Sequence, residues 1–319
     1  MSRTDNLAYL IKQAEKNLIA NEKEARALER EINRAYKTAS RAVRKELELF
    51  YARYATDKKM TTAAARRKLS AEEFAIFADD VKVFIDELEV IDTTNRNTNY
   101  KTFLERTAER AQISREDALV VRVRHEVEKL STSYYNSFTE HLEKVYNNSF
   151  ERTIEDLKQV IIVPTKIERL SAADLHRLIK KKWLDGNYSS RLWSNRNKLI
   201  AELSLTLQRS FAAGQGIEVT SRELAKRLDT ENYKAKRLIR TETTFINNQA
   251  TLNSFKMLGV KSYIYTAVLD SRTSEMCRDM DGRQFAVSEA VAGINLPPLH
   301  ANCRSTIVPT VLSDIDEDL

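Results

Sequence analysis

The chain has 319 residues, a net charge of +6, 42% apolar residues and 31% charged residues. That composition fills a core, and at roughly 100–200 residues per domain it makes two domains the default. Two cysteines are too few for a secreted disulfide scaffold, no apolar run approaches the ~18 residues of a membrane span, and Met1–Leu10 lacks the apolar centre of a signal peptide, so a reducing cytoplasm is expected.

Six Gly and four Pro, the first of them Gly186 and Pro164, leave more than half the chain without strong helix breakers. Long helices are therefore expected first. Residues 1 to about 56 carry Leu7, Ile11, Ala14, Leu18, Ala25, Leu28, Ile32, Ala35, Ala39, Ala42, Leu47, Phe50 and Tyr54 at helical spacing, a stripe that must lie on something within the chain or on a partner, in coiled-coil fashion. Ser70 with Glu73 forms a capping box for a helix over Ala71–Leu88. The polar stretch Asp92–Asn99 reads as a loop. Helical spacing returns over Tyr100–Ala111 and over Glu116–Leu157, and Pro164 marks a connection.

A second region starts near Thr165. Ser171 with Asp174 caps a helix that stops before Gly186, and a further helix covers Leu192–Ala213. Thr220 with Glu223 predicts another capping box, opening a short helix through Leu224 and Leu228, before a longer one over Glu231–Leu258 closed by Gly259. The β-branched and aromatic run Ser262–Leu269 predicts a strand, with Arg283–Val287 and Ser305–Val308 as shorter partners in a small antiparallel sheet. The fold class is thus mainly α: long N-terminal helices followed by a C-terminal α+β module. The expected division is a helical region over 1–160, a module over 161–312 and an acidic tail over 313–319.

Chemistry concentrates between Arg240 and Arg304. His300 and Cys303 stand three apart in a Pro-led loop, and with Cys277 they could present an imidazole and two thiolates to one metal ion, a set that suits zinc. Asp270, Asp279 or Asp281 would supply a fourth ligand. Two other readings stay open: small buried residues, or a Cys277–Cys303 disulfide. A Cys/His nucleophile lacks an orienting partner and an oxyanion loop, and the aspartates sit where turns use Asp anyway, so no catalysis is expected. Arg240 and Glu242, two apart on a helix, face different sides, and each is expected to pair with the small sheet. Asp270 with Arg272 and Arg304 predicts a local ion-pair network. Trp183, Tyr188, Trp193 and Phe211 are expected as core or interface anchors. The basic clusters Lys180–Lys182 and Arg66–Lys68 suit DNA phosphates or simply a solvated surface, since 46 acidic residues interleave with 52 basic ones.

The segment from Leu192 to Pro309 resembles the Mu F-like phage head morphogenesis, or minor capsid, family. The resemblance rests on an ordered series: Arg240-Thr241-Glu242, a strand leading to Asp270, the turn Asp270-Ser-Arg272-Thr273, Cys277, Asp281-Gly282, and Pro297-Pro298-Leu-His300-Ala-Asn302-Cys303-Arg304. Many relatives carry Cys where this chain has Ser274 and Ser305. If those cysteines complete a metal site in relatives, this chain has lost ligands.

The resemblance implies a virion component that joins the head in few copies, often through the portal protein, and serves head assembly and DNA packaging or ejection. It implies the host cytoplasm during assembly and the virion head afterwards. Expected partners are the portal protein, the major capsid or scaffolding protein, and DNA by non-specific contact; no membrane is expected. The alternatives are a DNA-binding protein injected with the genome and, further off, a metal-dependent nuclease.

Overall fold

The computed structural model describes residues 3–92, 97–110, 112–164 and 167–310. The acidic tail, part of the Asp92–Asn99 loop and Thr165 lie outside the described residues. In chain order, the helices are α1 (Arg3–Tyr54), α2 (Thr62–Arg66), α3 (Ala71–Ile91), α4 (Thr98–Ala108), α5 (Arg115–Lys158), α6 (Ala172–Ile179), α7 (Tyr188–Ala212) and α8 (Ile217–Met257). Strand β1 (Ser262–Ala267), helix α9 (Glu275–Met280), strand β2 (Gln284–Ala286) and strand β3 (Ser305–Pro309) follow. Among the described residues 72% are helical, with one three-stranded antiparallel sheet, as the scarcity of Gly and Pro predicts.

Two compact units divide the described contacts. One draws on Met1–Glu31, Ser137–Arg191 and Lys234–Leu319, the other on Ile32–Asn136 and Leu192–Tyr233. Helices α1, α5, α7 and α8 each contribute to both.

In the second unit, α3, α4 and the start of α5 enclose Phe77, Val81, Leu88, Tyr100, Leu104 and Val121. The capping box of α3 forms as predicted: Glu73 N–H donates to Ser70 Oγ, and Ser70 N–H donates to Glu73. On α1 the buried stripe reads Ile32, Tyr36, Ala39, Val43, Leu47 and Phe50, so the larger Tyr36 and Val43 take the core positions in place of the adjacent Ala35 and Ala42. Phe50 stacks on Phe211 of α7 at 5.5 Å between ring centroids. The helix start expected at Thr220 does not exist. α8 runs unbroken from Ile217, and the Thr220 hydroxyl donates to Gly216 C=O and meets Tyr51 Oη at 3.0 Å, so its side chain serves packing where a cap was expected.

In the first unit, β1 is the middle strand, paired with β2 through Tyr263↔Phe285 and with β3 through Tyr265↔Ile307. Against it lies the second half of α8, buried on every side from Thr241 to Leu252 although most of its side chains are polar. Burial of polar groups is tolerable only when each is hydrogen-bonded, and here they fasten neighbouring elements. Asn247 accepts from Asn21 of α1 at 2.7 Å, Thr243 meets His141 of α5 at 2.8 Å, and Thr244 donates to Cys303 C=O at 2.9 Å.

His141 is buried, and desolvation of its charged form pulls its pKa down from 6.5 to about 4. A base whose folded pKa is depressed contributes stability that is present above its unfolded pKa and lost as pH falls through the folded one. Between about pH 6.5 and pH 4 this residue should therefore cost on the order of 3 kcal/mol of stability. Denaturant unfolding across that window should show the loss in the native chain and a flatter profile in His141→Gln; parallel profiles would refute the assignment.

Candidate metal centre

The centre forms where α9, the loop before β3 and strand β1 meet. Its approach is the turn after β1. Asp270 N–H donates to Thr273 Oγ1, Thr273 Oγ1 donates to Val268 C=O, and Arg272 N–H donates to Asp270 Oδ1. That turn delivers Ser274 as the N-cap of α9, its hydroxyl accepting from Cys277 N–H. One helical turn later Cys277 points inward, 2% exposed. Gly282, at φ +78°, closes the hairpin by donating its N–H to Tyr265 C=O, a conformation that favours glycine.

From the other side come His300 and Cys303. Pro297–Pro298 is a cis peptide, Pro298 and Leu299 are buried, and Asn302 adopts φ +61°, a left-handed conformation that Asn tolerates. Helix α8 holds this loop from behind: Asn302 N–H donates to Thr241 Oγ1, Thr244 Oγ1 to Cys303 C=O, and Asn248 Nδ2 to Ser305 C=O. Thr241, Thr244 and Asn248 stand at i, i+3 and i+7, one face of the helix.

Cys277 Sγ lies 3.1 Å from His300 Nε2 and 3.6 Å from Cys303 Sγ. Two sulfurs each about 2.3 Å from a tetrahedral zinc ion stand about 3.8 Å apart, so the sulfur–sulfur spacing would suit a metal ion, while the shorter sulfur–imidazole distance is that of a hydrogen bond. His300 Nδ1 faces Ala301 C=O at 2.9 Å and must donate there, which turns the Nε2 lone pair toward the sulfurs. The two thiols are inequivalent. The Cys303 thiol, with the Ser274 and Ser305 hydroxyls, holds Cys277 well below the ordinary thiol range; giving up that hydrogen bond, and burial, push Cys303 up. One sulfur is thus set to be the thiolate that a metal needs. The three side chains could hold a metal ion.

The expected carboxylate ligands are elsewhere. Asp270 is held by Arg304 and Arg272, as the ion-pair reading predicts, and these contacts keep its carboxyl below the usual carboxylate range. Asp281 caps β1 by accepting from Ala267 N–H at 2.8 Å. Three hydroxyls border the group instead: Ser274 Oγ lies 2.7 Å from His300 Nε2, Tyr265 Oη lies 3.3 Å from Cys277 Sγ, and the Ser305 hydroxyl bonds to the thiols. The resemblance to relatives singled out Ser274, with Ser305, as a position of lost ligands; Tyr265 was not singled out from sequence. The Ser274-x-x-Cys277 spacing of a capped helix start was a further signal for Ser274, and nothing local marks Tyr265.

Arg240 and Glu242 do face different sides, and the partners found for them lie on other helices. Arg240 holds Glu29 of α1 through Nε and Nη2, a two-pronged contact, and Glu242 is bound by Arg191 of α7 and by Trp183 Nε1 at 3.0 Å. Their position mid-helix, away from its sheet-facing threonines, explains the difference. Trp183, Tyr188 and Phe211 are buried and Trp193 is half-buried, as anchors should be, whereas Lys181 and Lys182 and the Arg66–Lys68 cluster are exposed.

Residues 201–308 match the family described as Phage Mu protein F like protein. This third of the chain is similar to that family. The family implies a phage head morphogenesis protein. The Mu F-like stretch contains α8, the sheet and all three members of the Cys/His group. No curated protein and no solved structure matches the chain. No helix among the described residues is long and apolar enough to cross a membrane.

Proposed function

We propose that the chain is a minor head protein that docks on the portal and acts by binding, without catalysis, in head assembly and in the packaging or ejection of DNA. The observation that carries this reading is the Mu F-like match over residues 201–308. Within it the Cys/His group clamps α9 and the β3 loop onto β1, and zinc would act there as a structural staple. Asp270 and Asp281 are spent on Arg304, Arg272 and Ala267, so neither is poised to activate a water.

The test is co-purification of the full-length chain with the portal protein encoded beside it. The expected result is a stable complex at moderate salt and, after deletion of the gene, heads that form but infect poorly. Failure to bind the portal, together with DNA binding that weakens steeply with salt, would replace this reading with that of a genome-associated protein.

A further inference from the structure

We propose that the outer face of α1 over Arg34–Lys45, with Arg222 and Lys226 of α8 beside it, binds the backbone of double-stranded DNA without regard to sequence. All of these residues belong to the unit built from Ile32–Asn136 and Leu192–Tyr233. The inference is independent of the metal centre and goes beyond docking on the portal.

The core face of α1 in this unit is Ile32, Tyr36, Ala39, Val43 and Leu47. At 100° per residue, Arg34, Lys37, Arg41 and Lys45 fall on one stripe on the opposite side, and each is exposed. The row sets like charges against one another three or four residues apart: Arg34 against Lys37, Lys37 against Arg41, and Arg41 against Lys45. Such pairs destabilise a helix. Elsewhere exposed cations meet a carboxylate at that spacing, as Arg26 meets Glu22, Lys82 meets Asp79 and Lys158 meets Glu155. Among the described residues, Arg34, Lys37, Arg41 and Lys45 make no ion pair. Arg44, at the side of the row, takes both Glu48 and Glu218. The repulsion along α1 is thus left for something outside the chain to relieve.

A groove of about 380 Å³ between α1 and α8 is lined by Arg41 on one side and Arg222 on the other. Arg222 and Lys226, four apart and exposed, repeat the like-charge spacing on α8. Beyond Lys226 the α8 face turns mixed, with Asp229 exposed, so the continuous row is that of α1. A protein partner would meet apolar side chains at the centre of its contact, because interface cores are depleted in charged residues, Lys among them. From Arg34 to Lys45 no exposed side chain is apolar. A DNA duplex carries one negative charge per about 1.7 Å of its axis, whereas cations three or four residues apart on a helix are separated by a rise of about 4.5–6 Å. Each cation therefore finds a phosphate whatever the base sequence.

Fluorescence anisotropy of two labelled duplexes of unrelated sequence, titrated with the full-length protein over a series of salt concentrations, tests this. The native chain should bind both equally, with log affinity falling linearly in log salt. Lys37→Gln with Arg41→Gln removes two charges from the row, and Lys181→Gln with Lys182→Gln removes two from an exposed cluster elsewhere. The row variant should bind roughly tenfold more weakly and lose about 1.8 from the salt slope, about 0.9 for each phosphate contact. The cluster variant should match the native chain. At low salt the row variant should melt no lower than the native chain, since a repulsion has been removed, so its loss of binding is not a loss of fold. No binding by the native chain at low salt, equal losses in the two variants, or a row variant that melts lower would overturn the proposal. So would displacement of the duplex by polyglutamate at equal charge concentration, since the row would then serve an acidic protein surface. The readout needs no portal protein, so this inference and the portal reading can fail separately.

Discussion

Ser274→Cys is expected to raise the affinity of the full-length protein for zinc at least tenfold, while destabilising the metal-free form. Ser274 Oγ already stands 2.7 Å from His300 Nε2, and its residue caps the helix that carries Cys277. A thiolate at that position would complete a four-ligand set of three sulfurs and one imidazole, the closed arrangement of structural zinc sites. Tenfold in affinity corresponds to about 1.4 kcal/mol. Against this, sulfur is a poor substitute for a capping hydroxyl, and losing the cap should cost the metal-free protein about 1 kcal/mol. The two effects have opposite signs and separate in one experiment. Competition against a chromophoric chelator reads the affinity, and melting with and without zinc reads the stability. Free zinc at a hundredfold excess over Kd stabilises the folded state by about 2.7 kcal/mol, so the variant should melt below the native chain without zinc and above it with zinc at a concentration that only the variant binds fully. An unchanged affinity would remove Ser274 from the centre.

The largest loss of stability from one substitution is expected at Glu242. Its carboxylate is 1% exposed and receives Arg191 and the Trp183 indole N–H. Trp183 in turn stacks on Phe245, and the Arg191 guanidinium lies over its ring at 4.5 Å. Glu242→Ala leaves a half-buried guanidinium with only exposed Asp185 for a carboxylate partner, an indole N–H with no acceptor, and a void. Removing one partner of a buried ion pair costs roughly 3–5 kcal/mol. Burial pushes the Glu242 carboxyl toward its protonated form, against the pull of Trp183 and Arg191. Gln resembles that form and keeps an acceptor for the indole, so Glu242→Gln should lose less than half as much as Ala. Urea unfolding of the three proteins gives the ranking. Equal losses for Ala and Gln would mean that volume, rather than the polar contacts, sets the cost.

The sequence patterns that survived into the structure are those with one local physical cause. Scarce Gly and Pro leave helices unbroken, Ser70 and Ser171 meet the residue three places on, and the β-branched run at Ser262 becomes the central strand. His300 and Cys303 were legible because a three-residue spacing in a Pro-led loop can converge without help from elsewhere. Other features depend on distant partners. Thr243, Thr244, Asn247 and Asn248 look like a solvated helix surface, yet they are buried, because their partners lie 57 to 226 residues away in sequence. Thr220 and Glu223 match a capping pattern, but Tyr51 claims the threonine. The fourth corner of the metal centre was expected among aspartates, while the fold commits Asp270 to Arg304 and Asp281 to a strand end. The two compact units interleave distant segments, a grouping that no local stretch of sequence announces.

The contact between Glu29 and Arg240 spans 211 residues. A ribosome working at about 5–20 residues per second needs roughly 10–40 s to cover that distance. Over that time the partners of α1 on α5, such as Ser149 and Arg152, are made first, and the partner of Glu29 on α8 comes last. High contact order slows folding by the same logic of loop closure. The first unit therefore cannot close during synthesis of its own N-terminal segment. The part of α1 that meets α8 stays uncovered until the last third arrives, and this is the interval in which a chaperone or another copy has first access to it.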